Sequence, residues 1–156
     1  MAVSVEFTDS FADSFIGMRI EHDGVGIHLR VAGNGPPLLL LHGYPQTGYM
    51  WHKIAPQLAQ QFSVVIPDLR GYGDSDKPQT DATHSAYSKR AMAADMIAVM
   101  RALGHKNFAV AGHDRGGRVA HRLARDYPDA VSRLAVLDIV PTAAMYEATD
   151  KVFATA

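Results

Sequence analysis

The sequence predicts an α/β fold with a mostly parallel sheet and flanking helices. After a hairpin-like opening, apolar runs of strand length alternate with segments of helical periodicity, and several of these runs end in sharp glycine-containing turns. Alternating strands and helices are typical of parallel sheets, because a parallel connection needs a crossover. Reactive groups are therefore expected in the turns that follow the carboxyl ends of the strands.

Six strands are predicted from short apolar runs bounded by turn-forming residues. In chain order they are Met18–His22, Gly26–Val31, Pro37–Leu41, Ser63–Pro67, Phe108–Gly112 and Leu134–Ile139. The first two form the hairpin-like opening, and helices fall between the later ones. This order predicts a single sheet whose later strands run in parallel.

Three helical segments are predicted between the strands: Met50–Gln60, Tyr87–Leu103 and Arg115–Tyr127. The second has the strongest pattern, with Ser85 or Ser88 as its cap and Gly104 as its stop. Its apolar side chains recur on one face, at Met92, Met96, Val99 and Leu103. We expect this face to pack in the core.

Length and composition fit one soluble domain. The chain has 156 residues, of which 47% are hydrophobic and 20% charged, and its formal net charge is -1, which disfavours a nucleic-acid partner. No apolar run is long enough to span a membrane, and the absence of cysteine fits a cytoplasmic location. Without a metal-ligand spacing, a phosphate loop or a dinucleotide fingerprint, we expect no metal and no cofactor.

The most informative segment is Gly112-His113-Asp114-Arg115-Gly116, which lies between a strand run and a helix. This spacing is that of a nucleophile elbow, in which small residues let the strand and the helix pass close together around a sharp turn. The central position holds Asp114 instead of serine. A carboxylate with an ordinary pKa of about 3.9 is already an anion at neutral pH and needs no base to activate it. Asp114 is therefore predicted to displace a leaving group from a saturated carbon and form an aspartyl ester.

Two further turns occur in the expected order. The loop His42-Gly43-Tyr44-Pro45 ends one strand run, and Gly71-Tyr72-Gly73-Asp74-Ser75 follows the next. Together with the elbow, these loops resemble the α/β-hydrolase superfamily. The resemblance implies that the first loop supplies a backbone N–H, from Tyr44, to an oxyanion hole. Epoxide hydrolases and haloalkane dehalogenases share these loops.

Within the superfamily, the chain most resembles the haloacetate (fluoroacetate) dehalogenases, because arginine follows the elbow aspartate directly and again three residues later. Epoxide hydrolases usually have tryptophan in the first of these positions. An arginine in the first turn of a helix opposes the helix dipole, so Arg115 and Arg118 need another reason to be there. We expect them to bind the carboxylate of a 2-haloacid.

The other catalytic residues that the resemblance implies are an acid and a histidine, and only the acid has a candidate in this sequence. In the resembling family, the position of Asp138 after its strand holds the acid that orients the catalytic histidine, but no histidine follows His121 in this chain. His113 is expected to point to the other side of the elbow. We therefore expect residues 1–141 to form the N-terminal part of the hydrolase core, and residues 142–156 to begin the lid region, with the later strands and the lid absent.

Three functions remain open. The first is a hydrolase that displaces halide from a 2-haloacid through Asp114, with Tyr44, Arg115 and Arg118 binding substrate and Asp138 awaiting a histidine. The second is an epoxide hydrolase, and the third is a catalytically incomplete fragment or binding module. Besides a small-molecule haloacid and water, the expected partner is a second copy of the chain or a complementing C-terminal half, because the last strand leaves a sheet edge and an apolar face uncovered.

Overall fold

The computed structural model describes residues 3–6 and 14–149. Within them, seven strands form one sheet in the order β1-β2-β3-β5-β4-β6-β7. The strands are β1 (Val3–Glu6), β2 (Ile16–His22), β3 (Val25–Ala32), β4 (Pro37–Leu41), β5 (Ser63–Pro67), β6 (Phe108–His113) and β7 (Val131–Leu137). All six predicted strands are present, and β1 is an addition that the sequence pattern did not indicate.

The sheet changes from antiparallel to parallel along its width. β1, β2 and β3 pair in antiparallel fashion, and β3 also pairs antiparallel with β5. β5, β4, β6 and β7 pair in parallel. The four parallel strands therefore end at one edge of the sheet, and this edge is where the predicted loops after β4, β5 and β6 come together.

In the described part of the chain, four α-helices accompany the sheet: α1 (Ala55–Leu58), α2 (Lys89–Ala102), α3 (Arg115–Asp126) and α4 (Thr142–Ala148). α2 begins as predicted, because the Ser88 side chain accepts a hydrogen bond from the Ala91 N–H at 3.1 Å. The predicted helix Met50–Gln60 is shorter than expected. A 3₁₀ turn covers Gly48–Trp51, and α1 begins just before Pro56, whose missing N–H suits the first turn of a helix but not its interior.

Apolar side chains form two clusters, one on each face of the sheet. The larger one joins the sheet to α2 and α3, and the smaller one joins it to α1. The predicted apolar face of α2 lies in the larger cluster, where Met92, Met96 and Val99 are buried and Leu103 packs at the margin. Trp51 lies in the smaller cluster. Burial on both faces fixes the sheet as the central layer of the fold.

One margin of the sheet is exposed. Among the described residues, β7 pairs with β6 on one side only, and its side chains Leu134, Val136 and Leu137 are 40%, 41% and 43% exposed. An edge strand with this many exposed apolar side chains is typical of a surface that another chain segment covers.

A buried ion pair ties the loop after β5 to α2. The Arg70 Nε and Nη2 atoms each donate to a carboxylate oxygen of Asp95 at 2.6 Å, and Arg70 Nη1 donates to the Ala86 carbonyl at 2.8 Å. Hydrogen bonding to Asp95 raises the pKa of Arg70 against the opposing effect of burial. Asp95 is fully buried, so its charge is compensated by this pair rather than by water.

Replacing one partner should therefore be costly. We expect Asp95→Asn to lower the free energy of unfolding by about 3 kcal/mol, because it leaves the buried Arg70 charge without its carboxylate. Urea denaturation measures the loss. Asp126→Asn, which removes the partner of Arg90 and Arg122 on a more exposed surface, is the matched control and should cost clearly less. Equal losses in the two variants would contradict a special role for the Arg70–Asp95 pair.

Candidate active site

The turn between β6 and α3 has the geometry of a nucleophile elbow. Asp114 precedes the first residue of α3 with φ 48° and ψ -117°, a conformation that a side chain other than glycine rarely adopts. The Asp114 N–H donates to the Leu137 carbonyl of β7 at 3.0 Å, and the Asp114 carbonyl accepts from the Arg118 N–H at 3.2 Å. These bonds hold the strained turn from both sides.

The positions around this turn require glycine because neighbouring atoms leave no space for a Cβ atom. A Cβ on Gly112 would collide with the Gly116 carbonyl oxygen, and a Cβ on Gly116 would collide with the carbonyl oxygens of Leu41 and His42. Across the elbow, a Cβ on Gly43 would lie only 2.8 Å from that of Asp114. The loop after β4 therefore packs directly against the elbow.

The Asp114 carboxylate is held by backbone donors. The Tyr44 N–H, from the loop after β4, donates to Asp114 Oδ2 at 3.0 Å. Burial by itself would raise the pKa of Asp114, but the Tyr44 and Arg115 N–H groups and the positive charges of His113 and Arg115 lower it below its ordinary value. The carboxylate is therefore an anion at neutral pH, at the central position of the elbow.

The two arginines lie at the start of α3. The Arg115 guanidinium is exposed and lies 4.5 Å from the centre of the Tyr44 ring, an arrangement that suits a cation–π contact. Arg118 lies further in. Its Nη2 atom contacts the Met145 sulfur at 3.7 Å, and its buried Nε has no hydrogen-bond partner among the described residues. Both cations are thus close to the elbow without a carboxylate bound to their side chains in the described part of the chain.

The loop after β4 is built on a buried, neutral histidine. The His42 Nε2 atom accepts from the Leu69 N–H at 2.9 Å, which leaves the proton on Nδ1 to donate to the Gly43 carbonyl at 2.8 Å. Burial lowers the pKa of His42, against the raising effects of the Gly43 carbonyl and Asp68. His42 therefore positions the loop that carries Tyr44, and both of its nitrogens are occupied.

Asp138 and His113 meet beside the elbow. Asp138 follows β7 with φ 51°, its side chain is 90% exposed, and one of its carboxylate oxygens lies 3.6 Å from His113 Nε2. The buried His113 Nδ1 has no described partner and faces Gly43. His113 continues the alternation of buried and less buried side chains along β6, and its expected orientation away from the site stays a prediction. The position of His113 directly before Asp114 is the sequence feature that could have indicated a histidine beside the elbow.

One group of side chains in the described residues has the spacing of metal ligands. His28, Asp68 and Asp74 bring ligand atoms within 4.8 Å of one another. The Asp68 oxygens, however, accept from the Gly48 N–H at 2.7 Å and the Asp74 N–H at 3.0 Å. Arg30 Nη1 also lies 3.8 Å from Asp68. Asp68 therefore has its hydrogen bonds and a compensating charge without a metal.

Comparison with known proteins agrees with this geometry. The family described as the alpha/beta hydrolase fold matches residues 36–155. The chain belongs to the α/β-hydrolase family. It is 54% identical to a fluoroacetate dehalogenase from Burkholderia sp over 144 residues, which are 92% of this chain and 47% of that protein. It is 47% identical to a soluble epoxide hydrolase from Corynebacterium sp. (strain C12) over 119 residues, covering 76% of this chain and 40% of the other.

A solved structure shows the same fold. An epoxide hydrolase from an endophytic Streptomyces superposes with a TM-score of 0.79 at 34% identity, over 84% of this chain and 39% of that one. The chain spans about half the length, or less, of these relatives. The resemblance seen in the elbow and its loops is thus confirmed for the family and the fold.

In the described residues, no helix has both the length and the apolar character needed to cross a membrane. A cytoplasmic location stays a prediction.

The lowered pKa of Asp114 predicts the direction in which its contribution to stability changes with pH. A carboxylate whose folded pKa lies below its unfolded pKa stabilises the fold at higher pH and loses that contribution as the pH falls through the folded pKa. We expect the carboxyl signal of Asp114, followed by ¹³C NMR, to titrate with a midpoint below the ordinary 3.8. Asp114→Asn should change the free energy of unfolding in a pH-dependent way below about pH 5, measured by urea denaturation. A midpoint at or above 3.8 would show that burial outweighs the surrounding donors and cations.

Proposed function

We propose that this chain carries the nucleophile of a hydrolase that displaces halide from a 2-haloacid such as a haloacetate. The observation that carries the proposal is the ionised Asp114 carboxylate at the tip of the elbow, with Arg115 and Arg118 next to it. The 54% identity to a fluoroacetate dehalogenase supports the same substrate class. A nucleophilic anion and a carboxylate-binding pair of arginines are the two requirements of this reaction.

In the first step, an Asp114 oxygen attacks the α-carbon of the haloacid. A carbon–oxygen bond forms, the carbon–halogen bond breaks, and the halide leaves with the bonding electron pair. Arg115 and Arg118 hold the substrate carboxylate, and their forked donors suit its planar geometry. The backbone N–H groups of Tyr44 and Arg115 already donate to Asp114 and are placed to stabilise negative charge during the reaction.

In the second step, water attacks the ester and releases a 2-hydroxyacid, which regenerates Asp114. This step needs a general base to take the proton of the water. We assign Asp138 as the acid that orients such a histidine, by its place after β7, and the histidine itself is to come from outside this segment. His113 is the histidine found next to Asp138 in the described structure.

An epoxide hydrolase is the second candidate, favoured by the 47% identity to a soluble epoxide hydrolase. The same Asp114 would open an oxirane, but that reaction does not need a carboxylate-binding pair of arginines. The two arginines next to the nucleophile therefore favour the haloacid. A binding module that holds the anion without turnover is the third candidate, and it predicts that no ester forms.

The exposed β7 edge also bears on assembly. We propose that a second copy of the chain, or a complementing C-terminal half, covers the apolar side chains Leu134, Val136 and Leu137. Light scattering after size-exclusion chromatography tests self-association, and Val136→Glu should weaken it, because a charge on that face disfavours burial. A monomer at all concentrations would remove the homo-oligomer and leave the complementing half.

The central experiment is intact mass spectrometry after incubation with chloroacetate. We expect the mass to increase by one carboxymethyl group, with the group mapped to Asp114 by peptide analysis. The chain has no cysteine, so the most common competing nucleophile is absent. Asp114→Asn should abolish the adduct, and Asp129→Asn, on the turn before β7, serves as the matched control. Styrene oxide is the parallel probe for the epoxide reaction.

The outcomes separate the candidates. An adduct with chloroacetate and none with styrene oxide supports the haloacid reaction, whereas the reverse favours the epoxide. No adduct with either reagent, from a chain that is folded by circular dichroism, would refute both and favour the binding module. An adduct that persists in Asp114→Asn would refute the covalent role of Asp114.

Arg118 gives an independent prediction. Arg118→Lys should lower the rate of alkylation by sub-saturating chloroacetate about tenfold, because lysine keeps the charge but loses the forked contact. Chloroacetamide, which lacks the carboxylate, should react with wild type and variant at similar rates. Arg101→Lys, at an exposed position near the end of α2, is the matched control. Unchanged alkylation in Arg118→Lys would show that Arg118 does not bind the carboxylate.

A further inference from the structure

Lys89 is a cation that lines the same cavity as Arg118, and the sequence pattern did not reveal it. It is the first residue of α2, and α2 lies between β5 and β6 in the chain, so it begins at the sheet edge where β5 ends. The elbow lies at the same edge, because β5 and β6 both run parallel to β4. α2 packs against α3, the helix that carries Arg115 and Arg118, and Lys89 lines one cavity with residues along the length of that helix.

The position of Lys89 is electrostatically unfavourable on its own helix. A cation in the first turn opposes the helix dipole, and α2 has no acidic residue in that turn to offset it. The next residue, Arg90, forms an ion pair with Asp126 at 3.3 Å. Lys89 has no such pair in the described part of the chain, where its Nζ contacts the Met92 sulfur at 3.6 Å. Its placement therefore calls for an explanation outside α2.

The charges around Lys89 connect it to the elbow. Burial lowers the pKa of Lys89, the positive charges of Arg115 and Arg118 lower it further, and Asp114 acts in the opposite direction. Lys89 thus lies in the electrostatic field of the elbow, where the lowering effect of the two arginines on its pKa opposes the raising effect of Asp114.

A cavity of about 390 Å³ joins Lys89 to Arg118. The charged and polar lining consists of Lys89, Arg118, His121, Arg122 and Arg125, and Val136, Ile139 and Val140 form an apolar part of the wall. Asp114 and Arg115 lie outside this lining, so Arg118 is the residue that the cavity shares with the proposed carboxylate-binding pair. Arg118, one of the lining residues, also has a buried Nε without a hydrogen-bond partner in the described residues. A cavity with an unpartnered donor and several cations is suited to a small anion.

We propose that Lys89 is a substrate-binding residue that joins Arg118 in binding the substrate carboxylate and selects anionic over neutral substrates. This inference rests on the proposed function, since it names a further contact of the same haloacid carboxylate. The alternative is that Lys89 only covers Met92 with its aliphatic stem. Lys89→Met keeps an unbranched apolar side chain and removes the charge, so it separates the two roles.

The first test measures binding without chemistry. Acetate, an unreactive carboxylate, is titrated into the 156-residue chain and followed by ¹H–¹⁵N NMR. We expect Lys89→Met to weaken acetate binding about five- to tenfold, as for the loss of one charge-assisted contact. Lys89→Arg should stay within about twofold of wild type because the charge is kept. Lys53→Met, at an exposed lysine away from the elbow, should leave binding unchanged.

Unchanged acetate affinity in Lys89→Met, or a loss equal to that in Lys53→Met, would overturn the proposal. Failure of Lys89→Arg to keep the affinity would also overturn it, since the charge would then not be the cause. Circular dichroism and the thermal midpoint establish that each variant is folded before the titration. Acetamide, which has the shape of acetate without the charge, should show no dependence on Lys89.

The second test separates this proposal from the proposed function. In chloroacetate alkylation, Lys89→Met should raise the half-saturating concentration about five- to tenfold and change the limiting rate less than about twofold. A lower limiting rate with unchanged half-saturation would contradict a binding role. If no adduct forms on Asp114 while acetate binding depends on Lys89, the proposed hydrolase function fails and the anion site stands. If the adduct forms and acetate binding ignores Lys89, only the Lys89 proposal fails.

Discussion

The turn at Asp114 is the constraint on which the rest of the site depends. Its positive φ strains a side chain that is not glycine, and the strain persists because the Asp114 N–H is bonded to β7 and the neighbouring glycines leave room for close backbone contact. Gly112 and Gly116 allow α3 to leave β6 across the end of β4. The same closeness brings the loop after β4 against the elbow, so the Tyr44 N–H reaches the carboxylate.

Positive charge is concentrated where helix dipoles disfavour it. Lys89 begins α2, and Arg115 and Arg118 lie in the first turn of α3, so three cations lie near positive helix ends. Asp114 is the opposing charge among them, and the surrounding donors and cations keep it ionised despite its partial burial. This imbalance is the physical basis for expecting an anionic ligand. In the proposed reaction, the ionised Asp114 needs no base to deprotonate it.

Two buried aspartates hold the loops that shape the site. Asp68 accepts from the Gly48 and Asp74 N–H groups, which joins the loop after β4 to the loop after β5. Burial would raise the pKa of Asp68, yet its hydrogen bonds with His28, Asp74 and Gly48 lower it overall. Asp95 fixes Arg70, and with it the loop after β5, to α2. Asp68 and Asp95 thus form hydrogen bonds and ion pairs that stabilise the loops, and neither is paired with Arg115 or Arg118.

The sequence by itself determined the features that depend on local patterns. The strand runs, the Ser88 cap and the elbow with its required glycines are set by periodicity and backbone sterics over a few residues, and each is present in the structure. Only the tertiary structure decided that β1 joins the sheet, that His113 lies beside Asp138, and that Lys89 lines one cavity with Arg118. These are distances between segments far apart in the chain. They follow from the strand order and from the packing of the helices on the sheet, which local periodicity does not specify.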